Sequence, residues 1–552
     1  MLYHLIRSAL RFGRVPSSAL DATDLSHPAR SVSDRSMSFV VVRFSNEYEH
    51  NFLASPCTTR VDNQIVAIEN IGGLHYPCLG AALNTGLDQA IHEVIAFVHE
   101  DVYLELEWQA KVNAVLNALE TSDPQWGVLG AAGLDRTGRL VGNFFDPHGS
   151  INSFSGNDLY ARVQTLDEQL MIVRKSSGLR FDASIPGIHG LGSDLLFNAS
   201  DKGLNCYVVN APTRHKYKTG DGLLVTCADD SSKISHRTSF TYLADKECCD
   251  DYISNKWRDQ TPFSSTSTRY EPFRQPHELL ASIPDDTQQL LDAPIILLCK
   301  GGGGSRLLAS LAEDAGVCLG HSVNISGDCL DLVMAVYKSV IEKYKCPARW
   351  QQDLIVPQLR LAAAQMLQRL TARQRGLWGF KLPETLFLLP EIAEAFPRAR
   401  FLQMFRNPFA SALRRTHMTA RLDNEIGRLT LPLAYRAASE PLGAILGDAT
   451  VLHMAYTTAH QLRLGLDFSQ TLSSKRYFEC RFEALLNDPD QEVRRLSTWL
   501  GTPAVSMKVS DSIDQNRADH FTPIESSDLT ARIAAILEPL SQELGYSKGT
   551  PF

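Results

Sequence analysis

The sequence predicts an α/β protein built as two domains, and three observations carry that expectation. β-rich runs alternate with helix-like runs from Phe39 onward, the alternation decays after His215, and a fresh strand signal begins at Pro294, followed by a glycine run and an apolar helical pattern. Strand, crossover and strand at that spacing argue for parallel, doubly wound sheets. A chain of 552 residues with 44% hydrophobic and 21% charged residues is too long for one small core and has ordinary globular composition. Lys plus Arg number 54 against 62 Asp plus Glu, a net charge of −8, which argues against a broad nucleic-acid or anionic-membrane footprint. The longest convincing apolar run, Pro294–Cys299, falls short of the ~18 residues of a spanning helix. Eleven cysteines without a C-x-x-C pair give neither a disulfide framework nor a zinc signature, so a reducing cytoplasm is the expected compartment.

The elements follow in order. Residues 1–37 carry Arg7, Arg11, Arg14, Arg30 and Arg35 among serines and alanines; this is weakly like an organelle transit peptide, but a disordered or over-extended N-terminus is the preferred reading. A first domain is expected over 38–227, with strands at Phe39–Phe44, Gln64–Glu69 and Val94–Val98 and a helix at Leu79–Ile91. Residues 228–291, rich in Ser, Thr, Asp, Pro and Gln, read as an irregular linker. A second domain is expected over 292–552, with a further strand at Arg400–Phe405.

In the first domain the strand Val94–Val98 ends in His99-Glu100-Asp101. Ligands of open parallel sheets bind outside the carboxyl ends of strands. A divalent cation that neutralises a diphosphate leaving group needs one or two carboxylates, which singles out Asp101, with helix capping as its structural alternative. Downstream come Thr165 to Arg174, Leu179-Arg-Phe-Asp182, Gly187-Ile-His-Gly190, Ser193-Asp194 and Arg214-His215. In that order the segments resemble a glycosyltransferase of the family-2-like group with the GT-A fold, a Rossmann-like mixed sheet. The resemblance implies a nucleotide sugar donor and a divalent cation, Mn or Mg. His99-Glu-Asp101 stands where a D-x-D motif is usual, so His99 and Asp101 become metal ligands, with Asp101 the surer. His215 matches a histidine that completes the metal site, and Asp194 the general base on the acceptor hydroxyl. The bland alternatives are a helix cap for Asp194 and a loop histidine for His215.

In the second domain Ile295-Ile-Leu-Leu-Cys-Lys300 leads into Gly301 to Gly304, Ser305, Arg306 and an apolar helical run. Strand, glycine loop and helix make an anion cradle of backbone N–H groups and helix dipole. Walker A would need G-x-x-x-x-G-K-[ST], which is missing. Further on lie Trp378-Gly-Phe-Lys381-Leu-Pro-Glu384, the strand ending in Arg406-Asn-Pro408, and Arg476 to Pro489. This succession resembles a sulfotransferase that uses 3′-phosphoadenosine 5′-phosphosulfate, whose parallel sheet is P-loop-kinase-like. The resemblance implies that Lys300, Gly303, Gly304, Ser305 and Arg306 hold the 5′-phosphosulfate and that Lys300, Arg306 or Lys381 stabilises the leaving phosphate. Arg406 matches the arginine that binds the 3′-phosphate. Its usual serine partner comes eight positions later, where this chain has Arg414, so Ser411 is the substitute. The loop has one hydroxyl where Gly-Ser-Gly-Thr-Arg has two. His321, Asp328 and Glu384 are the candidate bases, and Trp378 reads as core.

Together these readings make a bifunctional transferase that glycosylates and sulfates a glycan, a glycolipid or a glycosylated metabolite. The alternatives are a P-loop kinase or NTPase at the C-terminus, or a carbohydrate-binding scaffold with one inactive domain.

Overall fold

The computed structural model describes residues 34–146, 150–215, 238–346, 348–414, 416–506, 508–513, 524 and 526–546. Of the N-terminus expected to be loose, residues 1–33 lie outside these. The last four join the fold, with Met37 fully buried and Arg35 paired with Glu120. The boundary expected at 227 also lies outside the described residues.

The first half contains β1 (Ser38–Arg43), β2 (Gln64–Glu69), β3 (Val94–Val98), β4 (Val102–Leu104), β5 (Val128–Gly130), β6 (Ala132–Leu134) and β7 (Leu140–Phe145). Behind them come β8 (Ile151–Asn152), β9 (Tyr160–Arg162), β10 (Thr165–Leu166), β11 (Leu170–Arg174), β12 (Tyr207–Val209) and β13 (Thr213–His215). Seven strands form one sheet in the order β2-β1-β3-β11-β5-β12-β9; the others form a second, ordered β10-β6-β7-β13-β4 with β8 beside β7. β1 is parallel to β2 and β3, and β5 to β12, but β11 runs against both β3 and β5. The first sheet is therefore mixed, where alternation alone predicts parallel strands. Side chains along each strand alternate between two cores, as a period of two requires. Phe39, Val41, Ala96 and Val98 pack with Trp108, and Val40, Ile95 and Phe97 pack with Phe181 and Leu195.

Of residues 228–291, whose composition reads as an irregular linker, 228–237 lie outside the described residues and the rest carry regular elements. Phe240–Lys256 is a 17-residue helix, capped by Ser239, whose side chain accepts from the Tyr242 N–H. Its neighbouring cysteines face opposite ways: Cys248 enters the core of the second half, and Cys249 with Ile253 enters that of the first. Its acids pair across to helix Val333–Lys345, Asp245 with Lys345 at 2.9 Å and Asp251 with Lys338 at 2.5 Å. A helix buried on two faces, with its charges used in pairs, loses the single apolar stripe by which amphipathic helices are recognised. The hairpin β14 (Phe263–Ser264) and β15 (Arg269–Tyr270) follows.

The second half holds a four-stranded, wholly parallel sheet of β16 (Ile295–Leu298), β17 (Gly379–Lys381), β18 (Arg400–Phe405) and β19 (Tyr477–Arg481), ordered β17-β16-β18-β19. Ile296, Leu298, Phe380 and Phe401 point into one core, and Ile295, Leu297, Leu402 and Met404 into another. Burial on both faces is why these strands read as unbroken apolar runs. No helix among the described residues is long and apolar enough to cross a membrane.

Candidate functional site

In the second half, the carboxyl ends of β16, β17 and β18 deliver Lys300, Lys381 and Arg406 to one edge of the sheet. Behind Lys300, the four glycines turn into helix Ser305–Asp314. Two of them are demanded by their neighbours. A Cβ at Gly301 would fall 2.2 Å from His417 Nε2, and one at Gly304, where φ is +104°, would fall 2.5 Å from the Phe482 ring. The first turn of the helix directs its backbone N–H groups toward this loop.

The Lys300 Nζ donates to the Ser411 carbonyl at 3.1 Å. Burial pulls its pKa down to about 7, and the Arg406 and Arg414 charges add to the effect. Lys381, also buried, pairs with Asp328 at 2.8 Å. Arg406 is buried with its guanidinium 4.0 Å from the centre of the Phe482 ring. Ser411, in the short helix Pro408–Ala412, is buried, and its Oγ has no hydrogen-bond partner among the described residues. It lies 3.8 Å from where a Cβ on Gly303 would be. Lys300, Gly303, Arg406 and Ser411 thus converge. Ser305 is half-buried at the start of its helix, and Arg306 is exposed beside it.

Of the three candidate bases, His321 is exposed, with its backbone N–H held by Asp331 at 2.9 Å, and Asp328 is taken by Lys381. Glu384 differs: it is buried, and its Oε1 has no hydrogen-bond partner among the described residues. Burial lifts its pKa to about 7, with Asp328 adding and Lys381 opposing. The His417 Nε2 lies 3.9 Å from this Oε1. Sequence reasoning missed His417, which sits in the turn before Met418–Ala420 with Nδ1 3.1 Å from Thr419 Oγ1; no motif marks it. Trp378 is core, its indole N–H donating to the Leu290 carbonyl.

In the first half, β13 pairs with β4, placing His215 opposite Val102 and so beside the residues that follow β3. One ligand atom each of His99, Asp101 and His215 lies within 4.8 Å of the others. His215 Nε2 is 3.1 Å from Asp101 Oδ2, and its Nδ1 is 2.6 Å from Asp146 Oδ2. Burial works against the imidazolium, but Asp101 and Asp146 overcome it and raise the His215 pKa to about 10. Asp146, also missed from the sequence, orients the ring as an outer-shell carboxylate does for a metal-bound histidine. Two imidazoles and a carboxylate fit a borderline ion such as Mn²⁺ better than Mg²⁺, which prefers oxygen ligands. Glu100, between His99 and Asp101, points elsewhere and accepts from the backbone N–H groups of Phe44 and Ser45 at 2.8 and 3.0 Å.

Asp194, the expected base, has both carboxylate oxygens engaged. It is fully buried; its Oδ1 accepts from Trp257 Nε1 at 2.8 Å and pairs with Lys256 at 2.6 Å, and its Oδ2 accepts from Asn198 at 2.9 Å. Oδ1 thus ties helix Leu191–Asp201 to the end of helix Phe240–Lys256, while Oδ2 is held within its own helix. Glu168 precedes Gln169, whose carbonyl accepts from the His99 N–H at 3.0 Å, and its own Oε1 accepts from the Gly190 N–H at 3.2 Å. Burial, and then Asp167, raise the Glu168 pKa to about 8.

With this geometry in hand, comparison with known proteins is specific for one part of the chain. Residues 328–506 match the Sulfotransferase family, a span that includes Lys381, Glu384, Arg406, Ser411 and His417 and begins after the glycine loop. Among solved structures, the chain is similar to the sulfotransferase domain from the curacin biosynthetic pathway, at 16% identity over 47% of this chain and 99% of that one, with a TM-score of 0.28. It is also similar to a sulfotransferase from Mycobacterium avium, at 13% identity over 56% and 88% of the two chains, with a TM-score of 0.32. A protein of Fuscovulum blasticum named ATP synthase subunits region ORF 6 is 29% identical over 127 residues, 22% of this chain. The chain spans 50% of the length of that curated relative. Residues 328–506 are thus a domain of the Sulfotransferase family, an enzyme domain of the transferase class.

Proposed function

We propose that the chain is a bifunctional transferase whose second half moves a sulfuryl group from 3′-phosphoadenosine 5′-phosphosulfate to a hydroxyl of a glycan or glycosylated acceptor. The observation that carries this reading is the convergence of Lys300, Arg406 and the Ser411 hydroxyl on the glycine loop, joined to the Sulfotransferase family match at 328–506. In such a transfer the acceptor oxygen bonds to sulfur while the sulfur–oxygen bond to the 5′-phosphate breaks, and the hydroxyl proton leaves to a base. Glu384, with a pKa near 7, is matched to accept that proton at neutral pH, and His417 at 3.9 Å stabilises the ionised carboxylate when protonated. Lys300 and Lys381 supply positive charge where the phosphate leaves. The Arg406 guanidinium suits the 3′-phosphate, which it can grip with two parallel N–H bonds.

The first half is proposed to transfer a sugar from a nucleotide sugar, supported by the His99, Asp101 and His215 cluster at the strand ends. A divalent cation held there would neutralise the diphosphate leaving group. Asp194 stays the base that the resemblance implies, its carboxylate held by Lys256 and Trp257; Glu168, buried and with its pKa raised to about 8, is a second carboxyl group of this half fitted for proton transfer.

Mass analysis of acceptor glycans incubated with both donors tests the two halves. Asp101→Ala is expected to abolish sugar transfer and keep sulfuryl transfer, and Arg406→Ala to do the reverse. A folded protein that performs neither transfer would be a carbohydrate-binding scaffold.

A further inference from the structure

A cavity of about 550 Å³ is built into the first half, between β9, β10, the end of helix Leu191–Asp201 and the segment from Gln260 to Phe263. Its volume falls in the ~300–1,000 Å³ range of small-molecule sites. It is separate from the His99 cluster. β12 runs parallel to β3, and the cavity wall includes Asn205 and Cys206, just before β12 begins, whereas His99 follows the end of β3. The two lie at opposite ends of the first sheet.

The lining has a definite chemistry. Arg136 and Arg162 both border it, and among the described residues neither has a carboxylate partner; Arg162 donates to the Asn205 amide oxygen. Thr165, only 1% exposed, also lines it, and its Oγ1 has no hydrogen-bond partner among the described residues. A buried hydroxyl without a partner is rare and points to a missing ligand or water. Phe197 and Phe263 meet edge to face, with centroids 4.8 Å apart, along the same wall, and Asp201 stands at the rim.

We propose that this cavity is a second ligand site, for a sugar unit carrying a sulfate or carboxylate group. Guanidinium groups without carboxylate partners select an oxyanion. The Thr165 hydroxyl and the Asp201 carboxylate answer the hydroxyls of a sugar ring, and the phenylalanine wall takes its C–H face. A bare inorganic anion would use the arginines alone and leave the hydroxyl and the aromatic wall unexplained. Such a site holds one anionic unit of a glycan away from both reacting centres and gives the protein a preference for chains that are already charged. It rests on the cavity alone and stands whether or not the first half transfers sugars.

Calorimetric titration of the full chain with glucose 6-sulfate, glucose and inorganic sulfate tests it. The sulfated sugar is expected to bind at least about tenfold more tightly than either fragment. Thr165→Val, which removes the hydroxyl and keeps the branching, is expected to weaken it roughly fivefold, the effect of one hydrogen bond, without lowering the melting temperature. Arg136→Gln with Arg162→Gln is expected to abolish it. The proposal is overturned if glucose 6-sulfate shows no saturable binding, if inorganic sulfate binds as tightly, or if the titration is unchanged in the Thr165 and arginine variants.

Discussion

The glycine loop offers a clean pair of substitutions, because two adjacent glycines are needed for different reasons. Gly301→Ala places a methyl group 2.2 Å from His417 Nε2, a separation no real contact allows, so the imidazole must swing away. It then loses its 3.1 Å contact with Thr419 Oγ1 and its 3.9 Å approach to Glu384. Overpacking of this kind costs about 1–3 kcal/mol. Gly302→Ala meets nothing within 4 Å but sits at φ +85°, so its cost is purely conformational, about 1–2 kcal/mol for a left-handed residue. Urea unfolding should therefore show similar losses for the two variants. The sulfuryl-transfer rate should not: Gly301→Ala is expected to lower kcat by roughly tenfold or more and to shift its pH profile, since it moves the imidazole beside the proposed base, whereas Gly302→Ala keeps both. Equal kcat losses with unchanged pH profiles would refute the role of His417 beside Glu384.

Other outcomes follow from the same geometry. Glu384 has a folded pKa of about 7 against an ordinary 4.5, so the folded protein holds the extra proton and stability falls as pH rises through that window. Glu384→Gln should remove up to about 3 kcal/mol of this slope between pH 4.5 and 7, measured by denaturant unfolding, while lowering kcat by about 10²–10⁴. Lys256→Met leaves the buried Asp194 carboxylate without its ammonium and is expected to cost about 1–3 kcal/mol, the half-exposed lysine keeping the loss below that of a fully buried pair; an unchanged denaturation midpoint would remove Asp194 from its structural role. Mn²⁺ at about a hundredfold excess over its dissociation constant should stabilise the chain by about 2.7 kcal/mol, and Asp101→Ala should cancel that gain; stabilisation that survives the substitution would place the ion elsewhere.

Much of this was legible in the residues, and the gaps have physical reasons. Lys300, the glycines and Arg406 could be found because a strand end, a glycine loop and a helix start leave a local record. His99 and Asp101 could be found for the same reason, while His215 joins them only through the β13–β4 pairing, which spacing does not encode. The Trp257 and Lys256 partners of Asp194 were invisible because a carboxylate in the first turn of a helix looks the same in sequence whichever groups it meets. The reversal of β11 was invisible, since the four buried apolar residues Leu170 to Val173 carry no direction. Helix Phe240–Lys256 was hidden because Cys248 and Cys249 serve different cores. His417 sits in a turn and approaches Glu384 to 3.9 Å, and neither feature has a sequence signature.

The central claim is that the edge formed by Lys300, the glycine loop, Arg406 and Ser411 is a sulfuryl-donor site. Its most direct test is calorimetric titration of the chain with 3′,5′-ADP, beside Arg406→Ala. The account predicts saturable binding that the substitution weakens by about 10–150-fold, the worth of charge-assisted hydrogen bonds to a phosphate, and no comparable binding of Mg-ATP. Binding of Mg-ATP as tight as that of 3′,5′-ADP, indifferent to Arg406, would contradict it and mark the loop as that of a kinase-like site.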